Sequence, residues 1–376
     1  MKHIFIILLA SLALVGCQSK TVSNEDPQAQ IQTQAQPVKI TDYLWEVTVD
    51  NYCDSIPNFL IDRVGVEFNC SAVRNGNYYG RNLDFFISET AEVIVHTPAR
   101  EGRHASVGIA SVNQRTDADF EKGLTPEDFY ILPWGMYDGI NDAGLFCNVN
   151  VTPYADGGDN PGTNPGMPDL CNPFLIRALL DNCGSVDEAV DFINGHNVIG
   201  KEMGGFNLHF MIGDPEKTVV VEFINNEAVV KEQNIMTNFY VNLLPEFTPA
   251  ADGIERYNIL LENYAEGGES MEGMRNLLKR VRFSQAYDPE MKPFWKSEFA
   301  IEGYTTSDAP VELVLADPSV QKSLADFKHY KETGEYEREM KLWYTEHNST
   351  YDIQNRKLWV TVHEDYDNYY EFTIEQ

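Results

Sequence analysis

Positive charge is scarce in this chain. It holds 28 Lys and Arg against 58 Asp and Glu, a formal net charge of −30. Such a surface repels phosphate backbones and anionic head groups, which argues against nucleic acid as a partner and against electrostatic docking on lipid. Metal-ligand spacing is also missing. There is no CxxC, no HExxH and no His-rich cluster, so no metal and no cofactor is expected. Cysteines are few: Cys53, Cys70, Cys147, Cys171 and Cys183 lie beyond Cys17. Five is odd, so at least one thiol stays free. Cys171 and Cys183 flank one predicted helix, about 18 Å apart along its axis, too far to bond. Beyond the N-terminus no long apolar run exists, and no internal repeat.

The apolar run that does exist is Ile4 to Val15, too short to span a bilayer and preceded by Lys2 and His3. It ends in Leu14-Val15-Gly16-Cys17, which resembles a bacterial lipobox. That resemblance implies a signal peptide over 1–16, a lipidated Cys17, and a place in the bacterial cell envelope outside the cytoplasm, anchored to a membrane through Cys17. Residues 17–40 are low in complexity (QAQIQTQAQP) and read as a flexible tether.

The remainder, with 43% hydrophobic residues over the whole chain, has the material for a sizeable core. Alternation predicts strands at 45–49, 64–68, 91–97, 105–112, 207–213, 218–223, 343–351 and 357–362, with LFCNVNV after an Asn141–Gly144 turn. Asn75-Gly76 predicts a hairpin running to Phe86. Helices are expected at 173–182, after the capping box Ser185-Val186-Asp187-Glu188, at 252–265, 270–281 and 321–341. Strands in two blocks, each followed by helices, indicate an α+β protein with antiparallel sheets.

Cys70-Ser71-Ala72-Val73-Arg74, followed by Gly80-Arg81-Asn82-Leu83-Asp84-Phe85, carries the chemistry. The pair resembles the start of the mature chain in the choloylglycine hydrolase family, which holds bile salt hydrolases, penicillin V acylases and the related acid ceramidase and N-acylethanolamine acid amidase group. GRNLD is closest to the last group. In order follow Asp138–Leu145, Leu208–Asp214 with Val219–Glu222, Met236-Thr237-Asn238, Glu255-Arg256-Tyr257 and Asn348–Asp352, so the resemblance spans about 66–376. It implies an N-terminal-nucleophile (Ntn) fold, a four-layer αββα sandwich with two antiparallel sheets between helical layers. It further implies a small-molecule N-acyl amide as substrate and self-cleavage at Asn69–Cys70. On this reading 41–69 is a pro-segment or small subunit packing on the core, and 70–376 is the hydrolase domain.

Chemistry supports the assignment. A terminal cysteine carries both a thiol and an α-amine with a pKa near 8, so the nucleophile brings its own base. Arg81, across the hairpin, would favour the thiolate. Asp84 would orient the α-amine. The resemblance makes Asn238 an oxyanion donor and Arg256 a supporting cation. Asn150 is the second expected donor, with Asn148 as the alternative. The plainer readings are a surface salt bridge for Arg81 and Asp84, a turn cap for Asn238 and a satisfied core histidine for His209. Two other functions stay open: an acyltransferase on the same scaffold, and a non-catalytic lipoprotein that binds an acyl ligand. Homo-oligomerisation stays open as well.

Overall fold

The computed structural model describes residues 37–50, 52, 69–86, 92–111, 132–152, 164–199, 207–224, 227–242, 253–282 and 343–374, with eight isolated positions between 313 and 333. The expected signal segment, Cys17, nearly all of the expected tether, Cys53, the strand expected at 64–68 and most of the loop at 155–168 lie outside the described residues.

In chain order the strands are β1 (Val38–Lys39), β2 (Leu44–Thr48), β3 (Asn69–Asn75), β4 (Tyr78–Phe86), β5 (Glu92–Thr97), β6 (Ser106–Ser111), β7 (Met136–Asn141), β8 (Phe146–Thr152) and β9 (Asp169–Cys171). After helices α1 (Leu175–Asn182) and α2 (Val186–Asn194) come β10 (Asn197–Ile199), β11 (Asn207–Gly213), β12 (Thr218–Ile224), β13 (Glu227–Glu232) and β14 (Ile235–Met236). Helices α3 (Ile254–Glu262) and α4 (Met271–Lys279) precede β15 (Trp343–Asp352), β16 (Lys357–Val362) and β17 (Tyr370–Thr373). Residues 321, 322, 325, 329 and 333 are helical, within the helix expected at 321–341.

These elements form four layers. A nine-stranded sheet runs β1-β2-β5-β6-β7-β8-β11-β12-β13, and a six-stranded sheet runs β14-β3-β4-β15-β16-β17. Helices α1 and α2 cover the outer face of the large sheet, against β7, β8, β11 and β13. Helices α3 and α4 cover the small sheet, against β3, β4, β14 and β15. The sheets meet face to face, with Tyr79 of β4 stacked between Phe146 of β8 at 4.2 Å and Tyr351 of β15 at 5.3 Å. The protein is thus a four-layer αββα sandwich, the architecture that the resemblance implies. Strands in the middle are covered on both faces, which is why β6 and β7 are buried along their whole length.

Two pairings depart from the expected all-antiparallel sheets, and one of them lies within the large sheet. Strand β2 runs parallel to β5, with Leu44 opposite Glu92 and Thr48 opposite His96. The reason is topological. The hairpin β3–β4 lies between them in sequence but belongs to the other sheet, so the chain crosses over and returns in the same direction. A second parallel pair, β9–β10, forms a separate two-stranded sheet.

Local signals explain the elements that hold the site. The β3–β4 connection is Gly76-Asn77, with Gly76 at φ +59, a left-handed position that suits glycine. Ser185 caps α2 by accepting from the Glu188 amide at 3.3 Å, and Glu188 accepts from the Gly184 amide at 2.6 Å. Ser270 caps α4 by accepting from the Gly273 amide at 3.0 Å.

Candidate active site

Cys70 is the second residue of β3 and is wholly buried. It lies opposite Leu83, and Ala72 lies opposite Arg81. Opposed residues share a face, so the Cys70 thiol and the Arg81 guanidinium both point between the sheets. Arg81 Nη2 donates to Cys70 Sγ at 3.0 Å and to the Val149 carbonyl at 3.0 Å. Burial pushes the Cys70 thiol up to about 11; Arg81 and Arg256 pull it down and Asp84 pushes it further up. In the continuous chain the thiol is therefore protonated at neutral pH. The plainer reading of Arg81 as a surface ion pair is excluded, because its side chain is fully buried.

The backbone N–H of Cys70 is the group that a cut would turn into an α-amine. It donates to Asn238 Oδ1 at 2.8 Å. The expected holder of that nitrogen, Asp84, is engaged elsewhere: Thr345 Oγ1 donates to it at 2.6 Å and Arg256 Nη1 lies at 3.6 Å. Asp84 opposes Asn69 in β3, one position from Cys70, so its side chain leaves the sheet on the other face, toward α3. Arg256 rises from α3 and gathers the site from that side. It donates to the Cys70 carbonyl at 2.6 Å, to Ser71 Oγ at 2.9 Å and to Asn238 Oδ1 at 2.8 Å.

The two expected oxyanion donors are occupied in this state. Asn238 Nδ2 donates to the Val151 carbonyl at 2.7 Å. Asn150 Nδ2 donates to the Thr237 carbonyl at 3.2 Å, and Asn148 Nδ2 donates to Asn150 Oδ1 at 3.0 Å. Asn148 and Asn150 alternate onto one face of β8 with Phe146, the face toward the small sheet. Cys70, Arg81, Asn238 and Arg256 thus come together in direct contact, Asp84 joins them through Arg256, and Asn150 reaches them through the 236–238 segment. His209 is a satisfied core histidine: its Nε2 meets the Thr237 carbonyl at 2.8 Å and its Nδ1 meets Glu222 at 3.3 Å.

Sequence reasoning missed the charges behind Arg81. Asp138 of β7 pairs with Arg81 Nη1 at 3.3 Å, accepts from Tyr351 Oη, and lies 3.4 Å from His347 Nε2. His347 Nδ1 in turn lies 3.1 Å from Glu92 of β5. All five of these side chains are fully buried. Burial works to raise the Asp138 carboxyl, but its bonds to His347 and Tyr351 and the Arg81 charge outweigh it and hold the group below the ordinary range. Burial works against the charged form of His347, yet Glu92 and Asp138 raise it above its ordinary value. No periodicity signals such a network. Glu92 opens a strand (EVIVHT) where a carboxylate reads as a solvated end. His347 faces inward only because β15 carries a bulge: Thr345 opposes Asp84 and His347 opposes Leu83, so Glu346 is the extra residue.

The family described as acyl-coenzyme A:6-aminopenicillanic acid acyl-transferase matches residues 72–282, more than half of the chain. The chain belongs to this family. The kinship with choloylglycine hydrolases and penicillin V acylases read from the sequence is thereby borne out. Among solved structures, two forms of a conjugated bile acid hydrolase from Clostridium perfringens are similar at 13% identity and a TM-score of 0.43, over 81% of this chain and 92% of that one. A penicillin V acylase from Agrobacterium tumefaciens is similar at 15% identity and a TM-score of 0.35, over 84% of this chain and 81% of that one. Likenesses at this level carry no functional argument. A search of curated sequences finds no match. Among the described residues of this acyl-transferase family member, no group of three or more His, Cys, Asp and Glu side chains is arranged to hold a metal ion, and no helix is long and apolar enough to cross a membrane.

Proposed function

We propose that this protein is an exported N-terminal-nucleophile amidase that hydrolyses a linear amide of an N-acyl substrate through Cys70, after its own cut between Asn69 and Cys70. One observation carries the reading. The Cys70 thiol accepts from a buried arginine while the Cys70 nitrogen is already held by Asn238, so both reactive groups of the future terminus are positioned before the cut.

The cut begins with attack of the Cys70 sulfur on the Asn69 carbonyl. The C–N bond breaks, a thioester forms and the nitrogen becomes a free amine. Water then hydrolyses the thioester, leaving the Asn69 carboxylate and regenerating the thiol. In turnover the thiol passes its proton to the α-amine and the thiolate attacks the substrate carbonyl. The developing oxyanion needs preorganised donors, and the amides of Asn238 and Asn150 are the candidates once the terminus has moved. The resulting ammonium protonates the leaving amine, and water hydrolyses the second thioester. Arg256 keeps Cys70 and Asn238 in register throughout. The signal segment and Cys17 would make the precursor a lipoprotein of the cell envelope.

A second reading uses the same thioester but delivers it to an amine. The description of the matching family, an acyl-transferase, favours it. Mass spectrometry of the exported protein tests the shared first step: a new terminus at Cys70 is expected, and none in Cys70→Ala. Turnover of conjugated bile acids, penicillin V, N-acyl-homoserine lactones and N-acyl lipids, with and without added amine, separates hydrolysis from transfer. An intact 17–376 chain that still cleaves amides would refute the proposal.

A further inference from the structure

His347 Nε2 stands 3.4 Å from a hydrogen-bond acceptor, Asp138 Oδ2, and 3.4 Å from a donor, Arg81 Nη1. Its Nδ1 stands 3.1 Å from Glu92. Among the described residues His347 is the one cationic group within ion-pair distance of Glu92. The same Arg81 donates through its other terminal nitrogen to the Cys70 sulfur. The row Glu92–His347–Asp138–Arg81–Cys70 therefore joins both sheets, with every side chain fully buried.

From this geometry we infer that His347, held by Glu92, is a positioning residue that changes partner on titration and thereby sets how much of the Arg81 charge reaches the Cys70 sulfur. The groups facing it are Glu92 from β5, Asp138 from β7, Arg81 from β4 and, through Asp138, Tyr351 from its own strand. When protonated, His347 forms an ion pair with Glu92 on its Nδ1 side and donates from Nε2 to Asp138. Two carboxylates then face two cations, and the buried row is neutral. When His347 loses its proton from Nε2, the Nδ1–H still faces the Glu92 carboxylate and the bare Nε2 accepts from Arg81 Nη1. Arg81 is drawn to the histidine, and the row carries one net negative charge. A thiolate at Cys70 is then opposed by that charge, and in a buried site the opposition is poorly screened. No proton leaves the protein interior for the nucleophile itself: the thiol proton still goes to the α-amine.

The raised titration of His347 places the exchange above the ordinary histidine value. Reactivity of Cys70 should climb with pH while His347 is charged and flatten once it is neutral. This inference rests on Cys70 being the nucleophile, as proposed above, but its test does not require amide turnover. The probe is iodoacetamide. The rate of Cys70 alkylation is followed by peptide mass spectrometry from pH 5 to 9, beside amide turnover, in the wild-type exported protein, His347→Gln and Glu92→Gln.

The wild-type profile is expected to bend. His347→Gln should lose the bend set by His347, keep only the one from the α-amine near pH 8, and react about tenfold more slowly on the acid side, the effect of a one-unit rise in the thiol pKa. Glu92→Gln keeps the histidine, so it should keep the bend and move it to lower pH; it also serves if His347→Gln does not fold. A purely structural role would scale the rate equally at every pH, and parallel profiles in the three proteins overturn the inference. A bend in alkylation without turnover of any amide would uphold the inference and refute the amidase reading. Turnover together with parallel profiles would do the reverse.

Discussion

Gly253 separates two effects that glycine substitutions usually mix. Its φ is +92, and a Cβ built there would stand 2.7 Å from Thr237 Oγ1 and 2.8 Å from the Asn238 amide nitrogen. Its carbonyl accepts from Thr237 Oγ1 at 3.0 Å and from the Tyr257 amide at 2.8 Å, so it pins the start of α3 to the segment carrying Asn238. Gly76 supplies the control. It also has positive φ, +59, but a Cβ there would meet nothing within 4 Å. An alanine in the left-handed region costs about 1–2 kcal/mol on dihedral grounds, and both variants should show that loss. Forced overlap in a packed site adds about 1–3 kcal/mol, which Gly253→Ala alone should show. Denaturant unfolding should therefore give a loss of about 2–5 kcal/mol for Gly253→Ala and about 1–2 kcal/mol for Gly76→Ala, from the sum and from the first part alone. The clash bears on the Asn238 backbone, whose side chain holds the Cys70 nitrogen at 2.8 Å. The appearance of a Cys70 terminus should slow in Gly253→Ala and stay unchanged in Gly76→Ala. Equal stability losses to within about 0.5 kcal/mol would refute the packing argument.

Three further outcomes are expected. Arg256→Lys keeps the charge but cannot bridge the Cys70 carbonyl, Ser71 and Asn238 at once; the cut should slow at least about tenfold in a time course by mass spectrometry, while far-UV circular dichroism stays unchanged. Ser270→Ala removes the α4 cap and should lower stability by about 1 kcal/mol in denaturant titration with no change in Cys70 reactivity. Glu222 is pressed up by burial but held below its ordinary value of 4.5 by His209, the Val241 amide and Asn242. Its folded pKa is depressed, so its contribution is present above 4.5 and lost as pH falls through the lower folded value. Glu222→Gln should flatten the acid limb of the stability profile below pH 4.5, and an unchanged limb would count against the assignment.

Much of the layer plan was legible in the residues. Alternation marked the long strands, Asn75-Gly76 marked the hairpin that brings Arg81 to Cys70, and the Ser185 box marked α2. Strands β7, β13 and β17 were not marked, nor were the two- and three-residue strands β1, β9, β10 and β14. In MYDGIN a carboxylate and a glycine break the apolar pattern, and both are there for the site and for close packing rather than for a solvated face. EAVVKE is an exposed edge whose polar ends read as loop. The short reach between Cys70 and Arg81 follows from hairpin register, so it could be anticipated. The role of Asn238 could be anticipated as to place and not as to bond, since only the fold shows that its oxygen faces the Cys70 nitrogen. The network of Glu92, Asp138 and His347 is assembled from three strands of two sheets across a bulge, and such long-range meetings leave no local trace.

Strand β2 carries a practical consequence for anyone producing this protein. The segment ahead of Cys70 contributes an internal strand, with Leu44, Val47 and Val49 buried in the core and Tyr52 Oη bonded to Asp181 at 2.7 Å. A gene trimmed to begin at Cys70 would supply the terminus proposed above but would leave β5 as a bare sheet edge, a template for unwanted pairing. Such a product should collect in inclusion bodies. A synthetic peptide covering 41–69, added during refolding, should rescue it by filling the vacant lane of the sheet.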